Sequence, residues 1–133
     1  MALGYYSDLK VWQKSMDLAE EIYNMVKELP KYEIYGLSNQ MRRAVVSIPS
    51  NIAEGHQRGA TRDYIRFLNI AKGSLGELET QVMLCERLGY IKDEKRMILL
   101  SLCEETGKML SGLINNLQKR LIEECKKQVT GSR

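Results

Sequence analysis

The sequence predicts an all-α protein, an antiparallel up-down-up-down four-helix bundle whose second helix is kinked at Pro49. Three observations carry that prediction. Apolar residues recur every three or four positions through four separate stretches. Only two prolines interrupt 133 residues, while leucine, methionine, glutamate and lysine, all good helix formers, are abundant. No stretch carries a strand signal.

The first helix is expected from Asp8, a good N-cap, to about Leu29, where Pro30 stops it. Leu9, Trp12, Met16, Ala19, Tyr23 and Val26 form one apolar seam. Val11, Leu18, Ile22, Met25 and Leu29 form a second, and the combined stripe is wider than a two-helix contact requires. The connection "PKYEIYG" follows, with Gly36 able to take a positive φ.

The second helix starts near Ser38 and meets Pro49 in its interior. A proline there removes a backbone donor and clashes with the preceding turn, at about 3 kcal/mol. The apolar spacing of Leu37, Met41, Ala44, Val45, Ile48, Ile52 and Ala53 nevertheless passes through Pro49 without a change of phase. One kinked helix is therefore expected, with Ser47, Ser50 and Asn51 solvating the freed Val45 carbonyl, ending at Gly55 or Gly59.

Thr61 is the expected N-cap of the third helix, and Gly89 its terminating glycine. Tyr64, Leu68, Ala71, Leu75, Leu78, Val82 and Cys85 repeat with heptad-like spacing. Gly73 and Gly76 lie inside this helix, each costing about 1 kcal/mol against alanine, so close backbone approach by a neighbour is expected there. The fourth helix opens at Asp93, with a seam of Arg96, Leu100, Cys103, Gly107, Leu110, Ile114, Leu117 and Leu121. Residues 1–125 are read as the bundle and 126–133, "KKQVTGSR", as a polar flexible tail. Ile98, Leu99, Leu102, Met109 and Leu113 widen the fourth helix's apolar face, and self-association is the expected use of the surplus.

A composition of 44% apolar and 28% charged residues is that of a soluble globular domain. No apolar run approaches the ~20 residues of a membrane span, and no signal peptide is visible, so a cytoplasmic protein is expected. Cys85, Cys103 and Cys125 fall on apolar seams and read as reduced, buried thiols. The net charge of +3 is mild, but residues 41–72 hold 6 basic against 2 acidic groups.

The chemistry of an active site is largely missing. The single histidine, His56, has Glu54 as its nearest carboxylate in sequence, two positions away and so on another face. It reads as a solvated histidine at a helix end. No metal-ligand spacing, phosphate loop or nucleophile elbow occurs, so neither a catalytic residue nor a cofactor or metal site is assigned. Arginine is the remaining signal. Arg58, Arg62 and Arg66 are spaced by four and are expected to line one face, with Arg42 and Arg43 on the antiparallel neighbour. Such clusters offer paired donors to phosphates.

The stretches "DLKVWQKSMDLAEEIY", "YGLSNQMRRAVVSIPSNIAEG" and "FLNIAKGSLGELETQVMLCERLGY" closely resemble a bacterial four-helix-bundle family. That family is named for proteins encoded in intervening sequences of 23S ribosomal RNA genes. The resemblance runs from about Asp8 to Leu117. It implies a cytoplasmic homo-oligomer, typically a five-fold ring, with no known catalytic activity. A related branch contains the accessory proteins of diversity-generating retroelements, basic pentamers that bind nucleic acid and a reverse transcriptase. The shared signature falls here on Trp12, Arg42, Arg43, Pro49, Asn51, Glu54 and Gly55, and on Gly73, Glu77, Leu78 and Glu79. Arg42 and Arg43 are the expected phosphate contacts, whereas Trp12, Pro49, Gly55 and Gly73 are expected to be architectural. Asn51, Glu54, Glu77 and Glu79 are expected to make inter-helix hydrogen bonds.

Two functions follow as expectations. One is a non-enzymatic, oligomeric RNA- or DNA-binding module acting through Arg42, Arg43, Arg58, Arg62 and Arg66. The alternative is a scaffold that docks a protein such as a reverse transcriptase, for which the acidic Glu77, Glu79 and Glu86 matter more.

Overall fold

The computed structural model describes residues 5–131. Residues 1–4, and 132–133 of the expected tail, lie outside the described residues. Four helices account for most of the chain: α1 (Lys10–Val26), α2 (Leu37–Gln57), α3 (Thr61–Arg87) and α4 (Asp93–Gly131). Short 3-10 turns at Tyr6–Asp8 and Lys31–Glu33 precede α1 and α2, and no strand occurs among the described residues.

The register is antiparallel throughout. Ser47 meets Ser74, and Met41 meets Cys85 further along, so α2 and α3 run in opposite directions. Lys14 of α1 pairs with Glu105 of α4 and closes the four-membered ring of helices. The core fills from all four. Leu18, Ile22, Met41, Ile48, Ile52, Leu68, Leu78, Leu99 and Leu110 are among its fully buried members. Burying each such side chain is worth about 1.5–3 kcal/mol, more than the helix propensity of an ordinary residue.

The α3 seam is as expected, apart from Tyr64, which is only half-buried. The wide α1 stripe divides. Val11, Leu18, Ile22, Met25, Val26 and Leu29 face the core, while Met16 and Tyr23 stand in solvent. α2 runs unbroken through the buried Pro49. The Asn51 amide does not reach the Val45 carbonyl; it donates to the Ser47 carbonyl at 2.7 Å and to the Ser47 hydroxyl at 2.9 Å.

The helix ends differ from expectation where tertiary contacts intervene. Asp8 belongs to the preceding 3-10 turn, and Leu9 occupies the N-cap position of α1 without a side-chain cap. α1 ends at Val26, three residues before Leu29. Thr61 is the first residue of α3 rather than its cap, because its hydroxyl donates instead to Glu124 of α4 at 3.1 Å. Gly89 does terminate α3, with φ of 78°, and the Tyr90 N–H reaches back to the Cys85 carbonyl at 2.9 Å. α4 does not fray at Cys125 but continues to Gly131 as a 39-residue helix, about 58 Å long.

Gly36 does not take the positive φ expected of it; its φ is −106°. A Cβ there would lie 2.8 Å from the Glu33 carboxylate, which folds over Gly36 to accept the Leu37 N–H at 3.1 Å and cap α2. Nor do Gly73 and Gly76 mark a close approach: a Cβ on either would meet nothing within 4 Å. The close approach is at Gly55, where a Cβ would come within 2.8 Å of Phe67 Cβ and 3.2 Å of the Tyr64 carbonyl.

Candidate nucleic-acid interface

The five arginines do not form one site: Arg42 and Arg43 make one group, Arg58 and Arg66 another, and Arg62 stands apart from both. Arg42 and Arg43 sit in the second turn of α2, whereas Arg58 lies just past its other end. The fifteen residues from Arg43 to Arg58 correspond to about 22 Å of helix.

At the first site Arg42 is half-buried, and its guanidinium donates to the Ile34 carbonyl across a long 3.4 Å. Arg43 is exposed. Neither has an ion-pair partner among the described residues, so both keep donors for an anion. Two shallow clefts adjoin them. One, of about 370 Å³, lies between Tyr23 of α1 and the arginine pair. The other, of about 460 Å³, lies between Tyr35 and Glu77, with Arg43 on its wall. Tyr23 and Tyr35 were not among the candidates drawn from the sequence, although two tyrosines in the seven-residue "PKYEIYG" are a signal.

The second site is more internally compensated. Arg58 and Arg66 stand over the Phe67 ring, 5.0 and 4.5 Å from its centroid. Arg58 also pairs with Glu54 at 3.1 Å and Arg66 with Asp63 at 3.7 Å. Arg62 does not share their face. Its guanidinium lies 3.9 Å from Cys125 Sγ, toward α4.

The other signature residues are mostly structural. Trp12 is half-buried against the core, with Tyr6 edge-on at 5.5 Å. Asn51 reaches α3 only through Ser47, whose hydroxyl meets that of Ser74 at 2.8 Å. Glu54 pairs within its own helix end, not between helices. Glu77 is exposed on the cleft wall, and Gly73 faces open space.

His56 is not the solvated residue expected. Its Nδ1 is buried without a hydrogen-bond partner, and its ring stands edge-on to Tyr64 at 5.6 Å. The Tyr64 hydroxyl is likewise buried and unpartnered; burial raises its pKa, opposed by the charge of Arg120. Cys85 and Cys103 are buried as expected, and burial pushes their thiols up to about 11 and about 12. Cys125 departs from expectation and is exposed. Among the described residues no group of three or more His, Cys, Asp and Glu could hold a metal ion, and no helix is long and apolar enough to cross a membrane.

Comparison with known proteins places this architecture. Residues 7–112 match the family model described as 23S rRNA-intervening sequence protein. The chain is also similar to a crystal structure from Bacteroides thetaiotaomicron, a protein of unknown function from the S23 ribosomal protein family. The two are 32% identical with a TM-score of 0.74, over 79% of this chain and 95% of the other. No curated protein matches. A matched segment covering most of the chain, on a bundle of the same shape, establishes that this chain belongs to the 23S rRNA-intervening sequence protein family.

Proposed function

We propose that the protein is a non-enzymatic, cytoplasmic module that self-associates, as a ring of five by analogy with its family, and binds RNA or DNA through exposed arginines. The observation that carries this reading is the Arg42–Arg43 pair, two guanidiniums neither of which has an ion-pair partner among the described residues. Phosphate is the anion such forks suit best. Arg58 and Arg66 contribute less, since Glu54 and Asp63 already compensate them. Self-association would repeat a modest site around the assembly, and the contacts would add. His56 packs against Tyr64 as a structural ring, and no general base is assigned.

Light scattering after size exclusion, followed by titration with ribosomal RNA fragments at low and moderate salt, tests the reading. An oligomer that binds at low salt and releases steeply as salt rises is expected, because counterion release dominates phosphate binding. Replacing Arg43 with alanine should lower the salt slope by about one per site, and Arg58→Ala by less. Absence of binding at both salts would overturn it.

A second reading, a scaffold that docks a partner protein, draws on one feature. The C-terminal part of α4 lines an apolar groove of about 560 Å³ with Leu121, Ile122 and Val129. Under that reading, reversing the charge of Arg42 and Arg43 leaves the partner complex intact.

A further inference from the structure

We infer that the α1–α2 end of the bundle is a stacking platform for single-stranded nucleic acid, with Tyr35 and Tyr23 as the base-contacting rings on either side of Arg43. This rests on the nucleic-acid reading above and adds the strand class and the residues that select it.

Three features carry the inference. The first is an aromatic surface that the fold does not use. Tyr35 is 92% exposed, and neither a hydrogen bond nor a ring contact holds it among the described residues. Tyr23, which the α1 seam would have placed inward, is 40% exposed. Tyr32 supplies a contrast: although also largely exposed, its hydroxyl is held by Tyr90 and its ring packs edge-on to the Tyr90 ring. An unanchored ring in water brings no folding stabilisation of its own.

The second is placement. Arg43 and Asn39 line both clefts, with the Tyr23 ring bordering one and the Tyr35 ring bordering the other. A backbone phosphate on Arg43 would leave its flanking bases beside the two rings. Stacking with arginine on the backbone is the arrangement by which single strands are held without sequence readout. A duplex keeps its base faces inside the stack and has nothing to offer these rings.

The third is the chemistry of the lining. Asn39 and Gln40 carry amide donors and acceptors suited to base edges, and neither amide has a partner among the described residues. Glu77, on the far wall, repels phosphate while accepting from base N–H groups. The site is thus polarised, with phosphate favoured on the arginine side and bases toward Glu77. A protein-docking surface of this size would be expected to have an apolar centre, and the cleft between Tyr35 and Glu77 is lined mostly by polar groups.

Fluorescence anisotropy with a labelled oligouridylate of roughly 20 nucleotides, and with an RNA duplex of the same length, tests the inference. The single strand should bind roughly tenfold or more tightly than the duplex. Tyr35→Ala should weaken it at least roughly fivefold without changing the salt slope, and Tyr35→Phe should retain affinity because the ring survives. Tyr23→Ala should act in the same direction, while Arg43→Ala should lower the salt slope instead. Both rings stand at the surface, so unfolding does not confuse the readout; circular dichroism of each variant verifies this. Equal or tighter binding of the duplex, or tyrosine variants indistinguishable from the parent, overturns the single-strand assignment and leaves nucleic-acid binding standing. Failure of both probes to bind overturns both readings and returns this aromatic face to protein docking.

Discussion

The Tyr90 hydroxyl donates a 2.7 Å hydrogen bond to the Glu33 carboxylate, joining the α3–α4 connection to the α1–α2 connection. Tyr90 has one proton to give, so the 3.2 Å contact between the two tyrosine hydroxyls must be donated by Tyr32. The second carboxylate oxygen of Glu33 caps α2 at Leu37. One side chain therefore fixes the start of α2 and holds two loops together.

That arrangement sets a pH window for stability. The bond from Tyr90, then that from Leu37, lowers the Glu33 pKa from its ordinary 4.5. Its contribution is complete above 4.5 and is lost as pH falls through the lower folded value. Tyr90 shifts the other way: the neighbouring Tyr32, whose ionisation would add a second negative charge, and the Glu33 carboxylate that holds its proton raise it above 10.0, so its contribution holds below 10.0 and is lost as pH rises further. Melting temperatures across pH should therefore show Glu33→Gln below the parent between these limits, with the gap closing in acid. Tyr90→Phe should narrow the gap at the alkaline end. Parallel curves at all pH values would show that the contribution of the pair does not depend on its ionisation, against this prediction.

The glycines make opposed predictions. Gly55→Ala places a Cβ 2.8 Å from Phe67 Cβ, so α3 must move, at about 1–3 kcal/mol of stability. Gly73→Ala meets nothing within 4 Å and should stabilise by about 0.5–1 kcal/mol through helix propensity alone. Urea unfolding of both variants reads the signs directly. A destabilised Gly73→Ala that also runs as a smaller species in light scattering would put Gly73 in a contact between copies.

These glycines also show what a sequence can and cannot reveal. Periodicity is a local property, so the seams of Leu68 through Cys85 and of Met41 through Ile52 are legible in it, Pro49 included. Which glycine meets a neighbour depends on the azimuth at which another helix packs, and spacing does not contain that angle. Thr61 was misread as a cap because Glu124, sixty-three residues away, takes its hydroxyl. The expected shared face of Arg58, Arg62 and Arg66 fails for a related reason. Arg58 and Arg62 are four apart, but the turn at Gly59, with φ of 82°, lies between them. The rule that such residues share a face holds only within one helix.

The polar link between α2 and α3 runs from Asn51 through Ser47 to Ser74. Asn51 and Ser74 do not touch in this chain of bonds, yet each orients the hydroxyl between them. Alanine at either position should cost about 1 kcal/mol, less what helix propensity returns at Asn51. A double-mutant cycle on the two should show a coupling of at least roughly 0.5 kcal/mol, since the second loss falls on a network already broken. Simple additivity would mean that Ser47 keeps its orientation without them.

Thiol chemistry tests both the core and the exposed end of α4. Burial first, and then the nearby charges of Glu33 and Glu79, push Cys85 and Cys103 up to about 11 and about 12, so neither offers much thiolate near neutrality. Cys125 is exposed, with the Arg62 guanidinium 3.9 Å from its sulfur. A chromogenic disulfide reagent should therefore label one thiol per native chain promptly, and the remaining two only on unfolding. Cys125→Ser should abolish the prompt phase and leave the melting temperature unchanged. Two prompt thiols would mean that the helices open on the timescale of the reagent. None, in a chain whose Cys125 reacts once the oligomer is diluted apart, would mean that another copy covers the end of α4, and the apolar groove there would be an interface rather than a free surface.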